Sequence, residues 1–184
     1  MADQTFTTGQ ILTAAQMTTL QANSGLVSVN TFTNSAATTL TAAGCFSATF
    51  KNYHLVFSAT GGTTSSGDIT CQFLVGATPT TSNYTNSIIF NSNAAGPTRA
   101  YNAGVSNFVI GSAGSAGSAF VYDIYQPNVA APTVVIGSYA GFGTTASFTA
   151  SNWAQHSGSS QFTGLTLTAA NNFTGTLIVY GYRQ

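Results

Sequence analysis

From Leu26 onward, apolar side chains recur mostly at every second position, the period of a chain whose neighbouring side chains point to opposite faces of a sheet. Leu26–Phe32 is the first predicted strand, followed by a polar Thr/Ala stretch expected to turn. Phe46 and Phe50 flank another short extended piece. Tyr53, Leu55 and Phe57 alternate with His54, Val56 and Ser58. After the Gly- and Ser-rich loop at 61–67, Ile69, Cys71, Phe73 and Val75 continue an apolar face, which predicts an antiparallel hairpin with a long loop. Weaker strands are predicted around Ser87–Phe90, Ala100–Val105 and Asn107–Ile110. The segment Ser112–Ala119 has a loop composition, and beyond it Phe120, Tyr122 and Ile124 alternate again. Val134–Tyr139 and Phe162–Thr168 follow, with Asn171-Asn172 expected as the turn into the last strand.

That last strand, Phe173–Tyr182, is apolar on both faces: Leu177 and Val179 on one, Ile178, Tyr180 and Tyr182 on the other. Such a strand is expected in a sandwich core or at a subunit contact, and Ile178, Tyr180 and Tyr182 are the candidate contact residues. Eight to ten strands separated by turn residues predict an all-β fold, an antiparallel β-sandwich of jelly-roll-like type. There is no internal repeat of solenoid or propeller period.

Residues 1–25 differ. Thr13-Ala-Ala-Gln16 fits a capping box, with Met17 and Leu20 three apart and Asn23-Ser-Gly25 as a stop. A helix this short needs a partner surface. The chain therefore divides into an N-terminal docking arm, 1–25, with Phe6, Ile11, Leu12, Met17 and Leu20 as its anchors, and a β-sandwich domain, 26–184.

Composition narrows the function classes. Of 184 residues only 3% are charged, the formal net charge is zero, and 43% are hydrophobic. Soluble domains carry roughly a quarter charged residues. Without a basic patch to neutralise phosphates, nucleic-acid binding is not expected. A chain without charge repulsion tends to associate, which suits a subunit of a permanent assembly. No apolar run is long enough to span a membrane. Met1-Ala-Asp-Gln-Thr lacks the start of a secretory signal, so export by that route is not expected. Cys45 and Cys71 do not make a disulfide framework, and Cys71 reads as a small buried hydrophobe.

Catalytic chemistry has few candidates. Asp3, Asp68 and Asp123 are the only carboxylate side chains, and His54 and His156 the only imidazoles. A glycosidase pair would have to be drawn from those carboxylates; a cross-strand polar contact explains Asp123 as well. His54, on the polar side of its strand, reads as a rim histidine. No zinc spacing, nucleophile elbow or phosphate loop is present, so neither metal nor cofactor is expected. The aromatics offer more. Trp153 lies in the polar, non-periodic stretch Ala150–His156, and with Tyr84, Tyr101 and Tyr139 it is a candidate for stacking on a sugar or anchoring an interface. Arg99 and Lys51 are expected in loops.

Two stretches resemble a known family. Phe6-Thr-Thr-Gly-Gln-Ile-Leu-Thr-Ala-Ala-Gln-Met17 resembles the N-terminal segment of small virion proteins of tailed bacteriophages, and Thr174-Gly-Thr-Leu-Ile-Val-Tyr-Gly-Tyr-Arg183 their C-terminal ending. Asn52-Tyr-His-Leu-Val56 and Ser151-Asn-Trp153 are similar to segments between. The resemblance implies a non-enzymatic virion structural protein, a tail-fibre or appendage subunit or a capsid decoration. It implies attachment through the N-terminal arm, assembly with itself (a trimer favoured) and with other virion proteins, and outward exposure. A host-surface glycan is a further candidate partner. The alternative is a carbohydrate- or receptor-binding module using loop aromatics, and a small hydrolase stands behind both.

Overall fold

The computed structural model describes residues 9, 11, 13–16, 25–59, 67–92, 96–113, 116–142 and 147–183. It is all-β and antiparallel, a curled sheet folded into a sandwich. Among the described residues it has eleven strands: β1 (Leu26–Ala42), β2 (Asn52–Ala59), β3 (Gly67–Val75), β4 (Thr78–Pro79), β5 (Tyr84–Ser92), β6 (Thr98–Val105), β7 (Phe108–Ala113), β8 (Gly117–Tyr125), β9 (Thr133–Phe142), β10 (Ser147–His156) and β11 (Gly164–Tyr182).

The long terminal strand organises the rest. One edge of β11 pairs with β1 from Leu165↔Ala42 to Tyr182↔Leu26. Its other edge is divided: Gly164–Ala169 pairs with β3, and Gly175–Gly181 with β2. The β1–β11 ribbon thus belongs to both layers. The larger continues β11–β2–β8–β9–β10–β5–β6, and the smaller is built on β3 with β4 and β7. Strand β7 packs across β8 and β9 to close the sandwich.

The crossing between layers is where the sequence reading needs correction. The Thr/Ala stretch after Phe32 is not a turn; β1 runs on to Ala42, and β11 passes through Asn171-Asn172 without a break. Both strands carry irregularities there, at Asn34/Ala37 and Ala37/Thr39, because a ribbon that changes layers must bend. The Asn34 side-chain amide donates to the carbonyls of Ala37 and Phe173, and the Ala36 amide, at φ 48°, donates to Thr174 Oγ1. Thr favours strands through its branched Cβ, so a Thr-rich run without large apolar residues is an extended strand as readily as a turn.

The core lies between the layers. Phe73 is its centre, stacked on Phe162 at 4.7 Å between ring centroids and tilted against Phe108 at 5.7 Å and Tyr84 at 6.0 Å. Leu55, Phe57, Phe120, Ile124, Leu177 and Val179 fill the other half. Cys45 and Cys71 are both buried free thiols. At the N-terminus the capping box is present in its reciprocal form. The Thr13 amide donates to Gln16 Oε1 at 2.9 Å and the Gln16 amide to Thr13 Oγ1 at 3.3 Å, over a helical turn at 14–16. Of the arm anchors, Ile11 is 88% exposed; Phe6, Leu12, Met17 and Leu20 lie outside the described residues.

Candidate recognition face

Alternation decides which side chains face out from the larger layer. In β10, Ala150, Asn152, Ala154 and His156 turn inward, so Ser151, Trp153 and Gln155 turn outward. Trp153 therefore stands on a strand, not in a loop, and the same correction applies to Arg99, in β6; Tyr84 opens β5, and Tyr101 and Tyr139 lie in β6 and β9, within strands the sequence predicts. The antiparallel registers then set side chains in rows across the strands. One row runs Tyr101–Ser87–Trp153–Ile136–Asp123–His54–Tyr180, each residue directly opposite the next. The adjoining row runs Arg99–Ile89–Ser151–Ser138–Val121–Val56–Ile178.

Large and small side chains in these rows shape the surface. Ser151 and Ser138 lie between the larger Ile89 and Val121, and the next residues along their strands, Thr149, Ala140 and Ala119, are small as well. The result is an open trough of about 380 Å³. Trp153 and Ile136 stand beside it; Ile89 is 61% exposed and Trp153 36%. Asp123 is the one Asp, Glu, Lys or Arg in β5, β8, β9 and β10 together.

Asp123 is the polar focus of the face. His54 Nδ1 donates to Asp123 Oδ1 at 2.7 Å, and the Tyr182 hydroxyl donates to the same oxygen at 2.6 Å. Asp123 Oδ2 accepts nothing from a described residue. Burial, and secondarily the bond to Asp123, raises the Tyr182 hydroxyl from 10.0 to about 12. The rings of Tyr180 and Tyr182 each lie 6.3 Å from that of His54.

The other candidates fall elsewhere. Tyr84 is 0% exposed, its hydroxyl accepting the Phe73 amide at 2.7 Å and bonded to Thr80 Oγ1. Tyr139 is 5% exposed and turns its ring inward to Phe148. Neither presents a ring face to a ligand; both are core residues, because their positions share the inward phase of their strands. Tyr101 and Trp153 do face solvent. Ile178, Tyr180 and Tyr182 share the outer face, Tyr180 and Tyr182 beside the His54–Asp123 pair. Asp68, at the start of β3 in the smaller layer, is not brought to Asp123. Among the described residues no group of three or more His, Cys, Asp or Glu side chains is placed to hold a metal ion, and no helix is long and apolar enough to cross a membrane.

The sequence reading missed the trough and the residues that form it, Ile89, Ser138, Ser151 and Val121. No family model matches the chain, and no curated protein matches it.

Proposed function

We propose that the chain is a non-enzymatic structural subunit of a tailed-bacteriophage virion, a β-sandwich that assembles with copies of itself and is attached through its N-terminal arm. The observation that carries this reading is the pair of open strand edges on the larger layer. Among the described residues β6 pairs only with β5, with Thr98 to Gly104 all exposed, and β1 pairs only with β11. Edges like these template further strands unless charge, proline or cover blocks them. Arg99 is the single charge in β6 and β1 has none. A chain with open edges and no net charge is suited to a place between copies of itself. The resemblance at both ends of the sequence supplies the virion context. In this reading residues 1–25 dock on the particle, and the large neutral face looks outward.

Mass spectrometry of particles purified from cells that carry the gene tests the proposal. Finding the chain among the structural proteins supports it, and its absence from particles overturns it. Light scattering on the full chain and on an Ala100→Pro variant tests the assembly part. Proline removes a backbone donor from the edge, so an oligomer held through β6 becomes smaller in the variant.

A second reading, recognition of a carbohydrate or receptor, is supported by Trp153 standing exposed on a neutral outer face.

A further inference from the structure

We infer that the trough on β5, β10, β9 and β8, with the row beside it, is a binding site for an uncharged sugar chain lying across the strands. The inference rests on the recognition reading and gives it a ligand class and an orientation; it does not depend on the assembly reading.

The ligand class follows from what the face offers. Ser138 and Ser151 line the floor with hydroxyls that both donate and accept, between the apolar walls of Ile89 and Val121. Trp153 supplies a broad, rigid apolar ring with a polar N–H at one end. A pyranose matches this combination, because its C–H face is apolar and its rim carries hydroxyls. At about 380 Å³ the trough falls within the range of small-ligand sites.

Charge selects among sugars. No Lys or Arg stands in the four strands that carry the trough; the nearest cation is Arg99, one strand beyond the Ile89 wall on β6, so an anionic glycan or a phosphate on the trough floor finds no counter-charge among the side chains that line it. The one carboxylate or cationic side chain on the outer face of these four strands is Asp123. Its Oδ1 is engaged by His54 and Tyr182, which fix the carboxylate, while Oδ2 accepts nothing from a described residue. The second oxygen of this partly exposed carboxylate, held in place, is an acceptor for sugar hydroxyls, and bonds to an ionised acceptor are the stronger kind. Negative charge on the ligand would be repelled.

Orientation follows from register. Trp153, Ile136 and Asp123 occupy neighbouring strands in one row, so two inter-strand steps of about 4.8 Å separate the stacking ring from the carboxylate. A chain running perpendicular to the strands reaches both, whereas one running along β10 reaches only Trp153.

Trp153 is the chain's one tryptophan, so its emission reports the site directly. The full chain is titrated with neutral β-gluco-, α-gluco- and N-acetylglucosamine oligosaccharides, with polygalacturonate as the anionic comparison, and binding is measured by calorimetry alongside fluorescence. The expected result is a saturable shift in Trp153 emission with at least one neutral series and none with polygalacturonate. Trp153→Ala is expected to abolish calorimetric binding, and Asp123→Asn to weaken it by about tenfold or more, with the fold and the oligomer mass retained in both. Three results overturn the inference: no neutral series binding at about 1 mM, tightest binding to the anionic polymer, or a Trp153→Ala variant that binds as before. A change of oligomer mass in Trp153→Ala or Tyr180→Ala assigns the face to a subunit contact and overturns it too. Binding to host cells separates the two levels. If the chain binds cells through Trp153 and periodate oxidation of their sugars leaves binding intact, recognition stands and the sugar assignment fails. If neither cells nor sugars bind, both fail.

Discussion

Tyr182 and His54 share one acceptor: the tyrosine hydroxyl at 2.6 Å and the imidazole Nδ1 at 2.7 Å both meet Asp123 Oδ1. The three residues come from β11, β2 and β8, so the cluster ties three neighbouring strands on their outer side. The His54–Asp123 pair is a directly opposed cross-strand contact, one of the explanations the sequence offers for Asp123.

Because the cluster is partly exposed, its energetic contribution is small. Tyr182→Phe is expected to cost about 0.5–1.5 kcal/mol, the net worth of one hydrogen bond. A double-mutant cycle with His54→Ala is expected to give a coupling below about 1 kcal/mol, since the two groups interact only through a shared, partly exposed acceptor. Urea denaturation of the two single variants and the double variant measures both. A coupling of several kcal/mol would mean that the cluster is shielded from water, for instance by a neighbouring subunit.

The aromatic centre carries far more. Phe73 is fully buried and has ring partners in Phe46, Tyr84, Phe108 and Phe162. Phe73→Ala is expected to cost about 3–5 kcal/mol through lost burial and the cavity left behind. Ile89→Ala, on the exposed wall of the trough, is expected to change stability by less than about 1 kcal/mol. Denaturant midpoints for the two variants separate a core position from a surface one. An Ile89→Ala loss as large as that of Phe73→Ala would show that the trough is covered in solution.

How far the fold could be read depended on what filled the inward positions. Tyr53–Leu55–Phe57 and Ile69–Cys71–Phe73 put large apolar groups at every second place, and the predicted strands are there. In β10 the inward residues are Ala150, Asn152, Ala154 and His156, small or polar, so the sequence shows no alternation and the stretch around Trp153 has the pattern of a loop. Asn152 is buried because its side-chain amide donates to the Val109 carbonyl, a partner contributed by β7. Asn171-Asn172 have turn chemistry, and the chain uses it for an irregularity between layers. The trough was legible only in part: Trp153 was singled out, but its neighbours Ile89, Ser138 and Val121 are brought beside it by strand pairing, which sequence spacing does not encode.

Gly137 gives a sharper test of the sheet. A Cβ there would lie 2.1 Å from the Val121 carbonyl oxygen and 2.5 Å from the Tyr122 ring, so the absence of a side chain lets that ring lie against β9. Gly137→Ala is expected to destabilise by more than about 3 kcal/mol or to prevent folding, because backbone has to move. Gly44, at φ 69° with open space around it, provides the comparison. There alanine meets only the strain of the left-handed conformation, and Gly44→Ala is expected to cost about 1–2 kcal/mol. Equal losses at the two positions would refute the close approach at Gly137.

Alkaline pH tests the buried hydroxyls and thiols together. Burial raises Tyr84 and Tyr139 from 10.0 to about 12 and Cys45 from 9.0 to about 12; Cys71 and Tyr122 are raised too, for the same first cause. In the unfolded chain these groups ionise from about pH 9 to 10, whereas in the folded chain they hold their protons. The unfolded state therefore binds fewer protons in that window, and the slope of unfolding free energy against pH is negative. The stabilisation is fully present below about pH 9 and is lost as pH rises toward about 12. Melting temperature followed by circular dichroism is expected to show no loss from these groups between pH 7 and 9 and a steep fall above. Thiol labelling in the same series is expected to track unfolding, with Cys45 and Cys71 unreactive until the chain opens, since the thiolate is the reactive form. Rapid labelling of the folded chain at pH 8 would show that the two thiols are not enclosed as described.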